Sequence, residues 1–535
     1  MSLEDMALDA LTAIVGHGDV NEFLINKLVN RARNRPHPWS TRDDYISWSG
    51  LTDRTYNARL LPAKPYPAAE GMGTRRPPID EVAQLFAAGP GGQRVCPKST
   101  CLFPAFAQYL TDGFIRTQIS NIDAETDRRR TTSNHEIDLS PLYGRTERQT
   151  AVLRLGSEAK GEKGRLKTQV IGGEPFPPFL YDATGQVKAE FCDAAGRSVL
   201  DAPLGIDRAG AKATLFAVGG DRGNAAPQVA MINILFLREH NRLAAMLEQA
   251  NPDWDDERVF QTARNILIVM FIKIVVEEYI NHINTSVFKF RADPSAAWHA
   301  KWNRPNWMTV EFSLLYRWHS LVPETLTWNG KPASGASMLL DNSRLISGGL
   351  ANAFVEISAN NATELGLGNS ASFLVEAEKK AVDQARTNHL ATYNDYRRAM
   401  DLDPAESFAD LVGKSRNEVE NARREALAAR LKQLYGTVDN VEFYVGLFAE
   451  PREKNGPLPD LVLAMVAMDA FSQALTNPLL SEHIWGDAAN RKLAFTAAGI
   501  AEIERTKKLR DILVRNAAGV AERFVGMTRR DWDRD

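Results

Sequence analysis

The 535-residue chain predicts a mainly α fold, built as one large domain with little β structure. Three observations carry that prediction. Long apolar stretches recur at helical spacing and close on helix-stop residues, convincing strand alternation is scarce, and no linker or fixed-period repeat divides the chain. An apolar share of 44% and a charged share of 24% are ordinary for a chain able to bury a sizeable core. A formal net charge of -3 gives no electrostatic reason to expect nucleic acid.

From the N-terminus, residues 3–34 show helical periodicity in two segments, one carrying Leu8, Leu11 and Val15, the other Phe23, Leu24 and Leu28. Arg35, Pro36, His37 and Pro38 end the run. The second segment closes on the cations Arg31, Arg33 and Arg35, a placement that a helix C-terminus favours on its own. The segments are short and only modestly apolar, so any membrane contact is expected to be weak and peripheral. Residues 45–100 are rich in Pro and Gly and read as an extended arm. The expected division is therefore 1–75 for N-terminal helices and arm, and 76–535 for the main domain. Acids at Glu4, Asp5 and Asp9 stand where a secretory signal has its basic region, which makes the cytoplasm the expected compartment. Cys96, Cys101 and Cys192 are too few for a disulfide framework, and the first two are expected as free thiols in a Pro-containing loop.

Residues 157–215 read as a loop insertion with at most a short hairpin. Pro227 then opens a long helix carrying Ile232, Leu235, Phe236, Leu243 and Leu247, which Asn251 and Pro252 stop. Within it Arg238, Glu239, His240 and Asn241 look catalytic, but adjacent helical residues point apart and are expected to be structural. A second helix is predicted from about Asp256 to Ile283. Its most apolar run, 266–272 extended by 274–276, is too short to span a bilayer and reads as a buried central helix. In 311–323, Phe312, Leu315, Tyr316 and His319 fall at i, i+3, i+4 and i+7, predicting one helical face closed off by Pro323. An imidazole is a common axial ligand of haem iron, and a phenol one turn away is placed to give an electron to an oxidised haem.

The wording of that segment, Tyr316-Arg317-Trp318-His319, resembles the proximal segment of the peroxidase-cyclooxygenase superfamily. Further blocks follow in the order used by cyclooxygenases and fungal fatty-acid dioxygenases. They read FAQYLTDGFIRT from Phe106, NHEIDLSPLYG from Asn134, FAVGGDRG from Phe216, FLREHNRLA from Phe236, KIVVEEYINH from Lys273, VEFYVGLFAE from Val441 and AFSQALTNPL from Ala470. The resemblance covers about Leu102 to Trp485 and implies a helical haem peroxidase/cyclooxygenase-like fold, with 76–535 as a haem-dependent catalytic domain.

By that resemblance His319 is the proximal iron ligand, with Trp318 beside it, and Tyr444 matches a tyrosine near the proximal imidazole that would orient the ring. Across the haem the family motif Gln-x-x-x-His reads Gln108-Tyr-Leu-Thr-Asp112, with an aspartate where the distal histidine belongs. An aspartate near its reference pKa of about 4 is a weaker proton acceptor than imidazole at neutral pH, although burial can raise it. Arg222 matches the arginine that assists O–O cleavage, so peroxidase turnover is expected to be weak. The carboxylates that tether haem in some relatives correspond to Thr111 and Ala225, which implies non-covalent haem b. Asp138 and Ser140 match part of a calcium loop, but Gly113 replaces its first ligand and calcium needs about six or more oxygens, so no calcium is expected.

The resemblance further makes Tyr316 the radical residue that takes hydrogen from a fatty acyl chain before O2 adds. It makes Tyr279 a partner of the substrate carboxylate together with Arg31 or Arg33, and Ser472 a channel residue. The function implied is a haem-dependent fatty-acid dioxygenase. Two alternatives stand beside it: a peroxidase or peroxygenase acting on small phenols or halides, and a haem-binding homologue without catalysis. Oligomeric state is left open.

Overall fold

A computed structural model describes residues 3–34, 37–64, 76–118, 127–208, 212–452 and 456–529. Helix makes up 52% of the chain and strand 10%, so the mainly α class holds. The long helices fall where their sequence signals put them. Pro227–Ala250 opens with Pro227 in its first turn and ends at Asn251, whose N–H bonds the Leu247 carbonyl. Asp256–Ile274 is capped by Asp255, whose side chain accepts from the Arg258 N–H, and carries Asp256 and Glu257 in its first turn.

Those two helices and Leu102–Asp112 meet in an aromatic cluster. Phe236 and Phe271 lie edge to face at 5.2 Å, and Tyr109 stacks on Phe236 at 5.6 Å while its hydroxyl donates to Asn233 Oδ1 at 3.0 Å. Beyond Ile274 the chain stays helical but widens into a π-turn over Val275–Ile280 before closing as Asn281–Ile283. The continuous run Asp256–Ile283 has 28 residues and contains an 18-residue window of mean hydropathy 1.8, long and apolar enough by composition to cross a membrane. This corrects the expectation drawn from 266–276 alone. Packing decides its role, because 78% of its apolar window is buried against the rest of the protein.

The N-terminal region forms Leu3–Val15, His17–Val29 and a 3-10 turn Asn30–Asn34. Val20, Ile25 and Val29 are buried, whereas Ile14 and Phe23 stand out in solvent. The arm is less extended than expected, since it folds into short helices at Trp48–Thr52 and Ile79–Gln84. Cys96 lies in the strand Val95–Thr100 and Cys101 precedes the helix Leu102–Asp112; these and Cys192 are free thiols.

β structure is confined to two-stranded pieces among the described residues. Val95–Thr100 pairs antiparallel with Asn361–Thr363, and Gln169–Ile171 with Glu174–Phe176 forms the hairpin expected in the 157–215 insertion. A further hairpin, Thr325–Trp328 with Lys331–Ser334, turns on Asn329 and Gly330, both at positive φ as a tight two-residue turn demands.

Arg238, Glu239 and His240 prove structural. Arg238 pairs with Glu174, Glu239 binds Arg242, Arg515 and Asn516, and His240 bridges the Tyr143 hydroxyl and the Gly164 carbonyl.

Candidate active site

The helix expected to carry Tyr316 and His319 on one face stops sooner. Val310–Leu315 is capped by Thr309 and ends at Tyr316, and His319 starts a separate 3-10 turn, His319–Leu321. A local competition explains the break. The Arg317 guanidinium donates to the Ser313 carbonyl at 3.1 Å, the acceptor its own N–H would use in a continuing helix, and that N–H turns to Leu314 instead. Tyr316 and His319 are thus placed by a turn, and Pro323 plays no part in ending the helix.

Tyr316 packs between aromatic rings. Trp318 stacks on it at 4.8 Å and 22°, and Phe312 lies tilted at 4.7 Å. Tyr279, projected by the π-turn, stacks on Trp318 at 6.4 Å, and its hydroxyl is close enough to Tyr316 for each phenol to feel the other. The two are not aligned as a hydrogen bond, and the Tyr279 oxygen has no other described partner. Burial drives both phenols well above their ordinary pKa.

Behind His319 stands Glu378, from the helix Val375–Thr387. Its Oε2 lies 3.1 Å from His319 Nδ1, in contact but outside hydrogen-bond alignment. Tyr444 donates to the same oxygen at 2.5 Å and Ser370 Oγ to Oε1 at 2.6 Å. Tyr444 therefore lies near the imidazole and is linked to it through the Glu378 oxygen that both side chains face.

Asp112, at the end of Leu102–Asp112, is fully buried and receives Arg222 Nη1 at 3.3 Å. Gly220 leaves it room, since a Cβ there would fall 2.5 Å from Asp112 Oδ2. Burial, then the neighbouring Asp221, push the Asp112 carboxyl up to about 6, against the pull of Arg222 and Arg116. Arg116 in turn joins Asp221 at 2.9 Å and Asp201 at 2.8 Å.

Arg317 links the two groups of residues. Burial, then the charge of Arg222, lower its pKa to about 10, while Tyr444 and Glu378 pull the other way. It lies deep in the protein, yet part of its surface is uncovered, as for Gln108, Arg222 and His319, all of which have buried neighbours. An imidazole beside a carboxylate, a second carboxylate beside a guanidinium, and Arg317 sensing the charges of both pairs form a donor set whose chemistry fits haem.

The substrate positions come out differently. Tyr279 is fully buried in the aromatic cluster, while Arg31 sits at the surface paired with Asp401 at 3.2 Å. No described bond or ion pair joins the two; the Arg33 side chain lies outside the described residues. Ser472 is also fully buried, and its hydroxyl donates to the Asp469 carbonyl at 3.1 Å.

Glu378 and Arg317 went unnoticed in the sequence. A signal for Glu378 was present, because Ala381, Val382 and Ala385 share its helical face and make it the lone charge on an apolar stripe. Nothing comparable marked Arg317.

The family model described as animal haem peroxidase matches residues 97–525. The chain belongs to the animal haem peroxidase family. As a member of it, the chain is a haem-dependent oxidoreductase. Prostaglandin G/H synthase 1 of Rattus norvegicus is 29% identical over 480 residues, covering 87% of this chain and 73% of that protein. Among solved structures, the fatty acid alpha-dioxygenase of Oryza sativa superposes with a TM-score of 0.70 at 15% identity, covering 100% of this chain and 98% of that one. Peroxidase A from Dictyostelium discoideum gives a TM-score of 0.68 at 18% identity, covering 89% and 96%. At such identities these superpositions establish a shared fold.

Proposed function

We propose that this haem peroxidase family member is a fatty-acid dioxygenase in which Tyr316 abstracts hydrogen and the product is a lipid hydroperoxide. The observation that carries the reading is a phenol, Tyr316, stacked on Trp318 one residue from His319, which itself lies against the Glu378 carboxylate. The names of similar proteins support it, being prostaglandin G/H synthases and fatty acid alpha-dioxygenases, and the rice alpha-dioxygenase is also solved with palmitic acid.

Non-covalent haem b would be held by His319, with Gln108, Asp112 and Arg222 able to act on a bound peroxide and Arg317 as a cation suited to a propionate. When bound, haem supplies a strong one-electron oxidant at the expense of a peroxide. Everything else falls to the chain. Tyr316 loses an electron and its hydroxyl proton, leaving a phenoxyl. The phenoxyl takes a hydrogen atom from the acyl chain, so a C–H bond breaks as the O–H bond re-forms. The carbon radical joins O2, and the resulting peroxyl takes hydrogen back from Tyr316 to give the hydroperoxide and restore the phenoxyl. The raised pKa of Tyr316 keeps the phenol protonated at neutral pH, as a hydrogen-atom carrier must be. Its buried aromatic setting keeps water from the radicals.

Within this reading 1–75 is an appendage to the catalytic domain 76–535. The protein works in the cytoplasm, with at most a peripheral membrane contact through exposed Ile14, Phe23 and Trp48.

Oxygen uptake by the haem-loaded protein with palmitate, oleate, linoleate and arachidonate, with products read by mass spectrometry, tests the proposal. Uptake that Tyr316→Phe abolishes is the expected result, and uptake undiminished in that variant rejects it. The ion pair of Arg222 with Asp112 favours a second reading, a peroxidase of small phenols. Peroxide-dependent dye oxidation without oxygen uptake would select it.

A further inference from the structure

We propose that Glu378 is the positioning residue of the proximal histidine: its carboxylate accepts the His319 Nδ1 proton, fixes the ring, and raises the electron density that Nε2 offers to iron. The inference rests on His319 being the haem ligand and needs no assumption about substrate. Four observations carry it. Glu378 is 1% exposed and shares its helical face with buried Ala381, Val382 and Ala385, so its carboxylate is held inside the protein against an apolar stripe. Its Oε2 lies 3.1 Å from His319 Nδ1, and that nitrogen has no other described hydrogen-bond partner. Ser370 Oγ and the Tyr444 hydroxyl donate to it from the far side at 2.6 and 2.5 Å, locking the carboxylate while leaving lone-pair capacity toward the imidazole. Finally, the imidazole and carboxylate touch without alignment, so a rotation of the ring, which binding through Nε2 would set, completes the bond.

A ring N–H given to a carboxylate makes imidazole a stronger donor to its metal than one given to a neutral oxygen. The oxidised metal gains most from that donation, so Glu378 should hold the iron toward the ferric state. Tyr444 and Ser370 temper the effect, because each hydrogen bond they donate withdraws charge from the carboxylate. The two kinds of substitution therefore push in opposite directions.

The test uses the full-length haem-loaded protein, with the ferric/ferrous midpoint measured by spectroelectrochemistry and the iron–histidine stretch of the ferrous form by resonance Raman. Glu378→Gln is expected to shift the equilibrium about tenfold toward ferrous iron, or 59 mV for a one-electron couple, and to lower the stretching frequency. Tyr444→Phe and Ser370→Ala, which keep the carboxylate, are expected to move both readouts the other way. Should Glu378→Gln fail to fold, those two variants decide the matter alone, and no shift in either overturns the proposal. So does a Glu378→Gln protein with full haem content and unchanged midpoint and stretch. His319→Ala separates the two levels: if it leaves the iron–histidine band intact, the haem assignment itself fails.

Discussion

A carboxylate in place of a distal imidazole changes the pH at which a peroxide proton can be accepted. Asp112 must be ionised to act as base, and its carboxyl, held up to about 6 by burial and by Asp221, reaches that form only above mildly acidic pH. Peroxide-dependent oxidation of a reducing dye should therefore rise with pH along a limb centred near 6. Arg222 stabilises the ionised form, so Arg222→Ala should carry the limb to higher pH; a limb that stays in place would remove Asp112 as the base. Asp112→His should raise turnover at neutral pH. Side chains of this kind were half legible in the sequence. The Tyr-x-Trp-His wording and the glutamine four residues before Asp112 stand in the chain as printed. The ion pair of Asp112 with Arg222 joins positions 110 residues apart and exists only in the fold. Glu378, in a helix written with many charges, reads as solvated until its face is seen to be apolar.

Helices were legible where their ends are written in capping and stop residues, as at Pro227, Asn251 and Asp255, and illegible where side chains compete with the backbone. The early end of Val310–Leu315 depends on one guanidinium taking one carbonyl, which no periodicity reports. The π-turn is equally silent, since nothing in Val275–Ile280, VVEEYI, departs from an ordinary helical pattern. That turn also carries Glu278, which accepts the Leu509 N–H at 2.6 Å where the helix Leu509–Asn516 begins. Burial pushes the Glu278 carboxyl up from 4.5 to about 7, against the Leu509 N–H and Lys508. Because the folded value is the higher one, the unfolded chain releases this proton first, and stability falls as pH rises from 4.5 toward 7. Full ionisation costs on the order of 3 kcal/mol. Glu278→Gln, which keeps an acceptor for Leu509, should raise the Tm more at pH 8 than at pH 5. Equal gains at both values would show that the carboxyl does not titrate in this way.

At the scale of the molecule, the class of fold and its long central helices followed from pattern alone, while the burial of particular polar side chains did not. Full burial of Tyr279 and Ser472 is a property of packing across several helices, which only the structure shows. Haem binds the folded form through a site assembled from distant segments, so it should stabilise the whole chain, by about 2.7 kcal/mol at a hundredfold excess over its Kd. Calorimetry should show a higher Tm for the haem-loaded protein than for the haem-free one. The difference should survive Tyr316→Phe and largely vanish in His319→Ala; an undiminished difference in the latter would place haem elsewhere.

The widened turn at Val275–Ile280 also bears on how the gene tolerates change in length. A π-turn is an α-helix holding one surplus residue, with the stretches on either side in ordinary register. Deleting a single codon there would let the coil tighten without rephasing Asp256–Ile274 or Asn281–Ile283, whereas the same deletion a few turns earlier would rotate every later side chain by about 100°. The segment is thus a place where the central helix can lose one amino acid and still pack, surrendering the bulge that carries Tyr279 into its buried aromatic cluster.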